Sequence, residues 1–214
     1  VALTLVIGNR NYSSWSLRAW LLLRHYGIDF DEVRLSLDTP GFPEQVARWS
    51  PAGRVPVLID GDVSIWDSMA IAEYVNEGLL GGRGWPKTLA KRALARSITA
   101  EMHSGFAALR SEMPMNVRRH CSSVVLSDAA LQDVIRVQAI WDQCLARDSG
   151  PWLFGDFSIA DAFYAPVALR FATYKVALTP LSAEYQARML ADPAVQEWCL
   201  AAKSETEVVA ADER

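Results

Sequence analysis

A chain of 214 residues, 51% hydrophobic and 21% charged, has the mixture of a globular protein and length for one large domain or two small ones, which excludes disordered, collagen-like and disulfide-scaffold chains. With 21 Lys and Arg against 25 Asp and Glu the formal net charge is -4, so polyanions gain no general attraction and nucleic acid is not expected as a partner. Cys121, Cys144 and Cys199 are widely spaced with no CxxC pair, the usage of buried thiols in a reducing compartment. The opening Val1 to Ile7 lacks a basic flank and a cleavage site, and no apolar run reaches the ~20 residues of a membrane span. The expectation is a soluble, unprocessed cytoplasmic protein with no membrane partner.

The first third alternates short β-branched runs with helix-period segments. Leu3 to Ile7 predicts a strand, Ser16 to Tyr26 a helix stopped at Gly27, Asp31 to Leu35 a strand, and Pro43 to Arg48 a short helix. Val55 to Ile59 and Val63 to Trp66 predict a hairpin around Asp60-Gly61-Asp62, and Ser68 to Asn76 a third helix. The order is βαβαββα. Gly78, Gly81, Gly82, Gly84 and Pro86 then crowd one stretch, a composition shift that reads as a linker. Beyond it, Leu89 to Met113, Asp128 to Arg147, Ile159 to Thr173 and Ala194 to Lys203 carry helical spacing, and the charged tail from Ser204 to Arg214 is expected to fray. The fold class expected is an α/β N-terminal domain over 1–78, a linker over 79–87 and an all-helical C-terminal domain over 88–214.

Three segments carry groups suited to chemistry. Asn11-Tyr12-Ser13-Ser14-Trp15-Ser16 sets hydroxyls at the N-terminus of the first helix, where unpaired amides and the positive dipole end favour an anion. One serine there suffices as a cap, and three exceed that need. Val55-Pro56 precedes a strand; with a cis bond, the Val55 N–H and C=O would pair an extended ligand like an added strand, and with a trans bond Pro56 only starts the strand. Asp67-Ser68 opens the third helix, joining backbone N–H, hydroxyl and carboxylate as an α-amino-acid head group requires, although the same pair is also an ordinary helix start.

In this order, the segments Ser13-Ser14-Trp15-Ser16-Leu17-Arg18, Ser50-Pro51 with Arg54-Val55-Pro56-Val57-Leu58, and Asp67-Ser68-Met69-Ala70-Ile71-Ala72-Glu73-Tyr74 resemble the glutathione S-transferase superfamily, a serine-type, zeta-like bacterial member. Phe157-Ser158-Ile159-Ala160-Asp161 resembles that family's capping box. The resemblance implies a thioredoxin-like domain followed by a helical one, glutathione as co-substrate, a homodimer, and thiolate attack on a hydrophobic electrophilic small molecule, the chemistry of detoxification. It also implies that Ser13 or Ser14 donates to the thiolate, that Arg54, Val55, Pro56, Asp67 and Ser68 bind glutathione, and that the helical domain contributes the electrophile site. The zeta-like register favours Ser13 and the spacing of four to Arg18 favours Ser14.

Trp15 replaces the cysteine of zeta-like members, Asp67 is a methylene shorter than Glu, and Arg54 stands where Gln is frequent. Cysteine-dependent thiol exchange and that group's substrates are therefore not carried over. Met102, His103, Phe106, Arg110 and Met113, at helical spacing, are with Trp15 the candidate electrophile lining. A glutathione-dependent isomerase or peroxidase, or a non-catalytic binding module on the same fold, are the alternatives. His25, His103 and His120 lack metal-ligand spacing, Gly82 to Thr88 lacks the glycine and strand of a phosphate loop, and no GxSxG surrounds a serine. No metal is expected.

Overall fold

The computed structural model describes residues 2–120 and 124–213. Its first part runs β1 (Leu3–Ile7), α1 (Ser14–His25), β2 (Phe30–Arg34), α2 (Phe42–Ala47), β3 (Val57–Asp60), β4 (Val63–Ile65) and α3 (Ser68–Gly78), the predicted order with no end moved by more than two residues. The sheet order is β2-β1-β3-β4, β1 parallel to β2 and the other two pairs antiparallel. This is a thioredoxin-like arrangement.

Period-two alternation in β1 explains the layers. Leu3, Leu5 and Ile7 face the main core with Leu17, Leu21, Ile71 and Val75 of α1 and α3. Val6 points the other way, into a smaller core with Leu35, Val46 and Val57 beneath α2. Gly27 at φ +65° ends α1 and Gly61 at φ +58° turns the hairpin, positions where a β-carbon is strained.

The second part holds α4 (Leu89–Ser104), α5 (Ala107–Glu112), α6 (Asp128–Leu145), α7 (Ile159–Thr173), α8 (Pro180–Ala191) and α9 (Pro193–Ser204). The helix expected over Leu89 to Met113 is two helices. Gly105 ends the first, where a β-carbon would stand 2.7 Å from the Glu101 carbonyl, and Phe106 reverses the chain at φ +57°. Sequence spacing missed α8, whose buried residues are only Ser182, Tyr185 and Met189. Its signal was Thr179-Pro180, a capping hydroxyl followed by proline in the first turn. The segment expected to link domains is itself packed, with Leu80 and Trp85 in the core. Buried α7 is the centre of the helical part and packs against α1, α4 and α8. The expected capping box is present at its start.

The tail does not fray as expected. Glu205 accepts the backbone N–H groups of Arg10 and Asn11 at 2.9 and 3.0 Å, Glu207 accepts from Arg34 at 2.6 Å, and Glu213 accepts the Tyr12 hydroxyl at 2.5 Å. Arg118 donates to the Glu205 and Glu207 carbonyls. Acidic side chains at the end of the chain thus tie the β1–α1 loop to the helical part, partners that no local pattern reveals. Glu205→Ala orphans two loop amides and is expected to cost about 1–3 kcal/mol, read as a lower urea midpoint with an unchanged slope.

Candidate active site

A cleft of about 630 Å³ lies between the two parts, and Ser13, Ser14, Trp15, Arg54, Val55, Pro56, Asp67, Ser68 and Arg110 all line it. Val55-Pro56 is cis. Neither the N–H nor the carbonyl of Val55 is paired among the described residues. Arg54 is exposed at the rim.

The serines at the head of α1 have different duties. Ser13 is the N-cap: its oxygen accepts the Ser16 amide at 3.3 Å, and its hydroxyl donates to Ser16 Oγ at 2.7 Å. Ser16 Oγ also accepts the Gly8 amide at 3.1 Å, which closes the strand-to-helix turn. Ser14 Oγ instead accepts from Arg170 Nη2 at 3.2 Å. Its own proton has no acceptor among the described residues, at a helix N-terminus that favours negative charge.

At the head of α3, Asp67 is the N-cap, accepting the Met69 amide at 2.7 Å, while its other oxygen stands 3.3 Å from His103 Nε2. Ser68 is buried, and its hydroxyl has no partner among the described residues.

Of the candidate electrophile lining, Trp15 and Arg110 face the cleft. His103 stands behind Trp15, its ring edge-on at 5.1 Å. Burial, with Arg18 and Arg110 nearby, outweighs the pull of Asp67 and depresses the His103 pKa. Met102, Phe106 and Met113 pack in the core; helical spacing shows that residues share a face, but not whether that face meets core or cleft.

Arg170 was missed, although a lone cation within the apolar run of α7, buried from Ile159 to Phe171, was its signal. Arg170 donates to the Met113 carbonyl at 2.8 Å as well as to Ser14. Arg18 of the serine motif lies over the rings of Trp15 and Phe163, 4.3 and 4.9 Å from their centres. Burial and the neighbouring charges of Arg110 and Arg170 push its pKa down to about 9. Helices α1, α5 and α7 therefore bring three guanidinium groups within electrostatic reach of one another, and the one on α7 meets Ser14.

Among the described residues no cluster of three His, Cys, Asp or Glu offers a metal site, and no helix is long and apolar enough to cross a membrane. Cys144 and Cys199 are free thiols whose burial raises each pKa to about 11, which leaves them unreactive near neutrality. Cys121 lies outside the described residues.

Residues 12–77 match the family profile of the glutathione S-transferase N-terminal domain, and residues 92–201 that of the C-terminal domain. Maleylacetoacetate isomerase of Rattus norvegicus is 30% identical over 176 residues, 80% of this chain and 79% of that protein. Glutathione S-transferase Z1 of Arabidopsis thaliana is 30% identical over 163 residues, 72% of this chain and 71% of that protein. A glutathione transferase homologue from Burkholderia, solved with bound glutathione, superposes with a TM-score of 0.72 at 25% identity, over 95% of this chain and 98% of that one. Two domain profiles in the right order, on a sheet and helices that build one cleft from both, establish that the chain belongs to the glutathione S-transferase family.

Proposed function

We propose that the cleft binds glutathione and that Ser14 holds its thiol as the thiolate for attack on a second, electrophilic substrate. The observation that carries this reading is the unspent Ser14 proton at the head of α1, on a hydroxyl that accepts from Arg170. An unperturbed thiol has a pKa of ~8.5, and lowering it two units takes ~2.7 kcal/mol. A hydroxyl donating to a charged acceptor supplies ~1.5–3 kcal/mol, and the helix N-terminus ~0.3–1 kcal/mol. Ser13, both of whose capping bonds are formed, positions the turn.

Val55 offers an unpaired N–H and carbonyl for the cysteinyl backbone. Ser68 and the amides of α3 receive the γ-glutamyl carboxylate, with Asp67 facing the amino group, and Arg54 at the rim completes the set. Ser68→Ala is expected to weaken glutathione binding about 10-fold while leaving turnover at saturating glutathione unchanged, checked by calorimetry and steady-state kinetics. The central test is calorimetry of glutathione binding at two pH values: wild type releases a proton that Ser14→Ala does not. Absence of binding to wild type would leave a non-catalytic module.

A glutathione-dependent isomerase is the second reading, favoured by the 30% identity to maleylacetoacetate isomerase over four fifths of the chain. It uses the same thiolate but returns glutathione unconjugated, so product analysis separates the two. The free, unreactive thiols support a cytoplasmic protein. The family supports a homodimer, for which exposed Leu79 and Leu89 supply apolar surface; light scattering at the mass of one chain would refute it.

A further inference from the structure

A second pocket, of about 480 Å³, shares no residue with the cleft, and a volume of this order suits a small ligand. Its apolar lining is Val117, from the segment after α5, with Leu169 and Ala172 of α7, and Leu169 is buried. Arg119, Lys175 and Lys203 line it as well, and no Asp or Glu does so among the described residues. Nor does a carboxylate pair with any of the three elsewhere among those residues; Arg119 only rests over the Tyr174 ring, 5.7 Å from its centre. In a chain of net charge -4, three uncompensated cations around one concavity focus a positive potential there.

Lys175 also stands where glycine is usual. The end of α7 is closed by the Val176 amide donating to the Phe171 carbonyl at 3.0 Å and the Lys175 amide donating to the Ala172 carbonyl at 3.3 Å, with Lys175 at φ +52°. This capping geometry favours glycine, because a β-carbon is strained there. The fold alone gives no reason for a lysine at that position, whereas an anion in the pocket does.

Charge and donor shape select the anion. A phosphate monoester carries ~1.5–2 negative charges near pH 7, which three cations balance better than they balance a single carboxylate charge. Ammonium groups act as point charges on phosphate oxygens, while a carboxylate is matched by the planar fork of arginine, and two of the three cations are lysines. The apolar residues line a concavity and do not form a protruding face, which fits the carbon skeleton of a small molecule and not a lipid surface.

We propose that this pocket is a second binding site, for a phosphate monoester with a small apolar body, the phosphate held by Arg119, Lys175 and Lys203 and the carbon skeleton by Val117, Leu169 and Ala172. The site is separate from the cleft and stands or falls independently of the glutathione reading.

The test is calorimetry of the full chain with phenyl phosphate at low salt. Wild type is expected to bind it saturably, with glutathione unable to displace it, and Lys175→Gln combined with Lys203→Gln to weaken binding about 10- to 100-fold. Both lysines are exposed, so the double variant should melt as wild type does. Lys175→Gly separates site from fold: glycine suits the backbone there, so the melting temperature should not drop while phenyl phosphate binding does.

Absence of binding, equal binding by wild type and the double variant, or displacement by glutathione would overturn the proposal, the last by placing the phosphate in the cleft. Benzoate or inorganic phosphate binding as tightly as phenyl phosphate would overturn it too, since the dianion or the carbon skeleton would then play no part. Cosedimentation of wild type with vesicles of phosphatidylcholine and phosphatidic acid, undiminished by phenyl phosphate and lost in the double variant, would assign the cations to a membrane surface and overturn the small-molecule site.

Discussion

Ser14→Ala should lower kcat/KM with glutathione about 10-fold near neutral pH, whereas Ser13→Ala should cost stability first. The distinction follows from what each hydroxyl already does. Ser13 is occupied as acceptor from the Ser16 amide and donor to Ser16 Oγ, so its removal deletes a helix cap worth ~1 kcal/mol. Ser14 is held through its lone pair by Arg170 and keeps its proton for the ligand. Losing a hydroxyl-to-thiolate bond of ~1.5–3 kcal/mol raises the bound thiol by ~1–2 pKa units.

The sign gives the pH dependence. Below both values of the bound thiol pKa the thiolate fraction falls by the full tenfold per unit, while above ~9 both enzymes hold thiolate and the deficit vanishes. A pH profile of kcat/KM in which the deficit does not shrink toward high pH, or in which Ser13→Ala reproduces it, would assign the role elsewhere.

Asp161→Ala should be the most damaging single change to the fold, lowering stability by about 4 kcal/mol. The carboxylate is fully buried and accepts four hydrogen bonds: the Leu153 amide at 3.1 Å, the Ser158 amide and hydroxyl at 2.9 Å each, and the Tyr185 hydroxyl at 3.0 Å. It therefore caps α7, fixes the turn before it and anchors α8. Alanine orphans four donors on three residues in the core. Burial pushes the Asp161 pKa up to about 6, with the four donors opposing.

Because that value lies above the unfolded one, the folded protein holds more protons in between. The contribution of Asp161 is then full below ~4 and declines as pH rises through about 6. The gap in unfolding free energy between wild type and Asp161→Ala, measured in urea, should accordingly be wider at pH 4 than at pH 7. A gap under ~1 kcal/mol at both would mean that the donors find other acceptors.

Local pattern carried much of the fold. Apolar residues at every second position of β1, the glycine after α1, the Asp60-Gly61-Asp62 turn and the Asp67-Ser68 helix start each act within a few residues, so the chain itself displays them. The break at Gly105-Phe106 was hidden because the apolar spacing continues across it. Helix α8 was hidden because it buries little. The tail was misread because charged residues suggest solvent, whereas Glu205 and Glu213 find their partners about 200 positions away in the chain.

Glutathione-binding candidates were legible for the same local reason, since each belongs to a helix start or strand start whose backbone groups need partners. The order of strands and helices in the first part and the serine-bearing helix N-terminus were thus determined by the sequence alone. Which serine is free, which residues of the helical part face the cleft, and the convergence of Arg18, Arg110 and Arg170 were decided only by tertiary structure. Those three arginines sit on three different helices, and the direction each one faces is fixed by how α1, α5 and α7 pack, not by the spacing within any one of them.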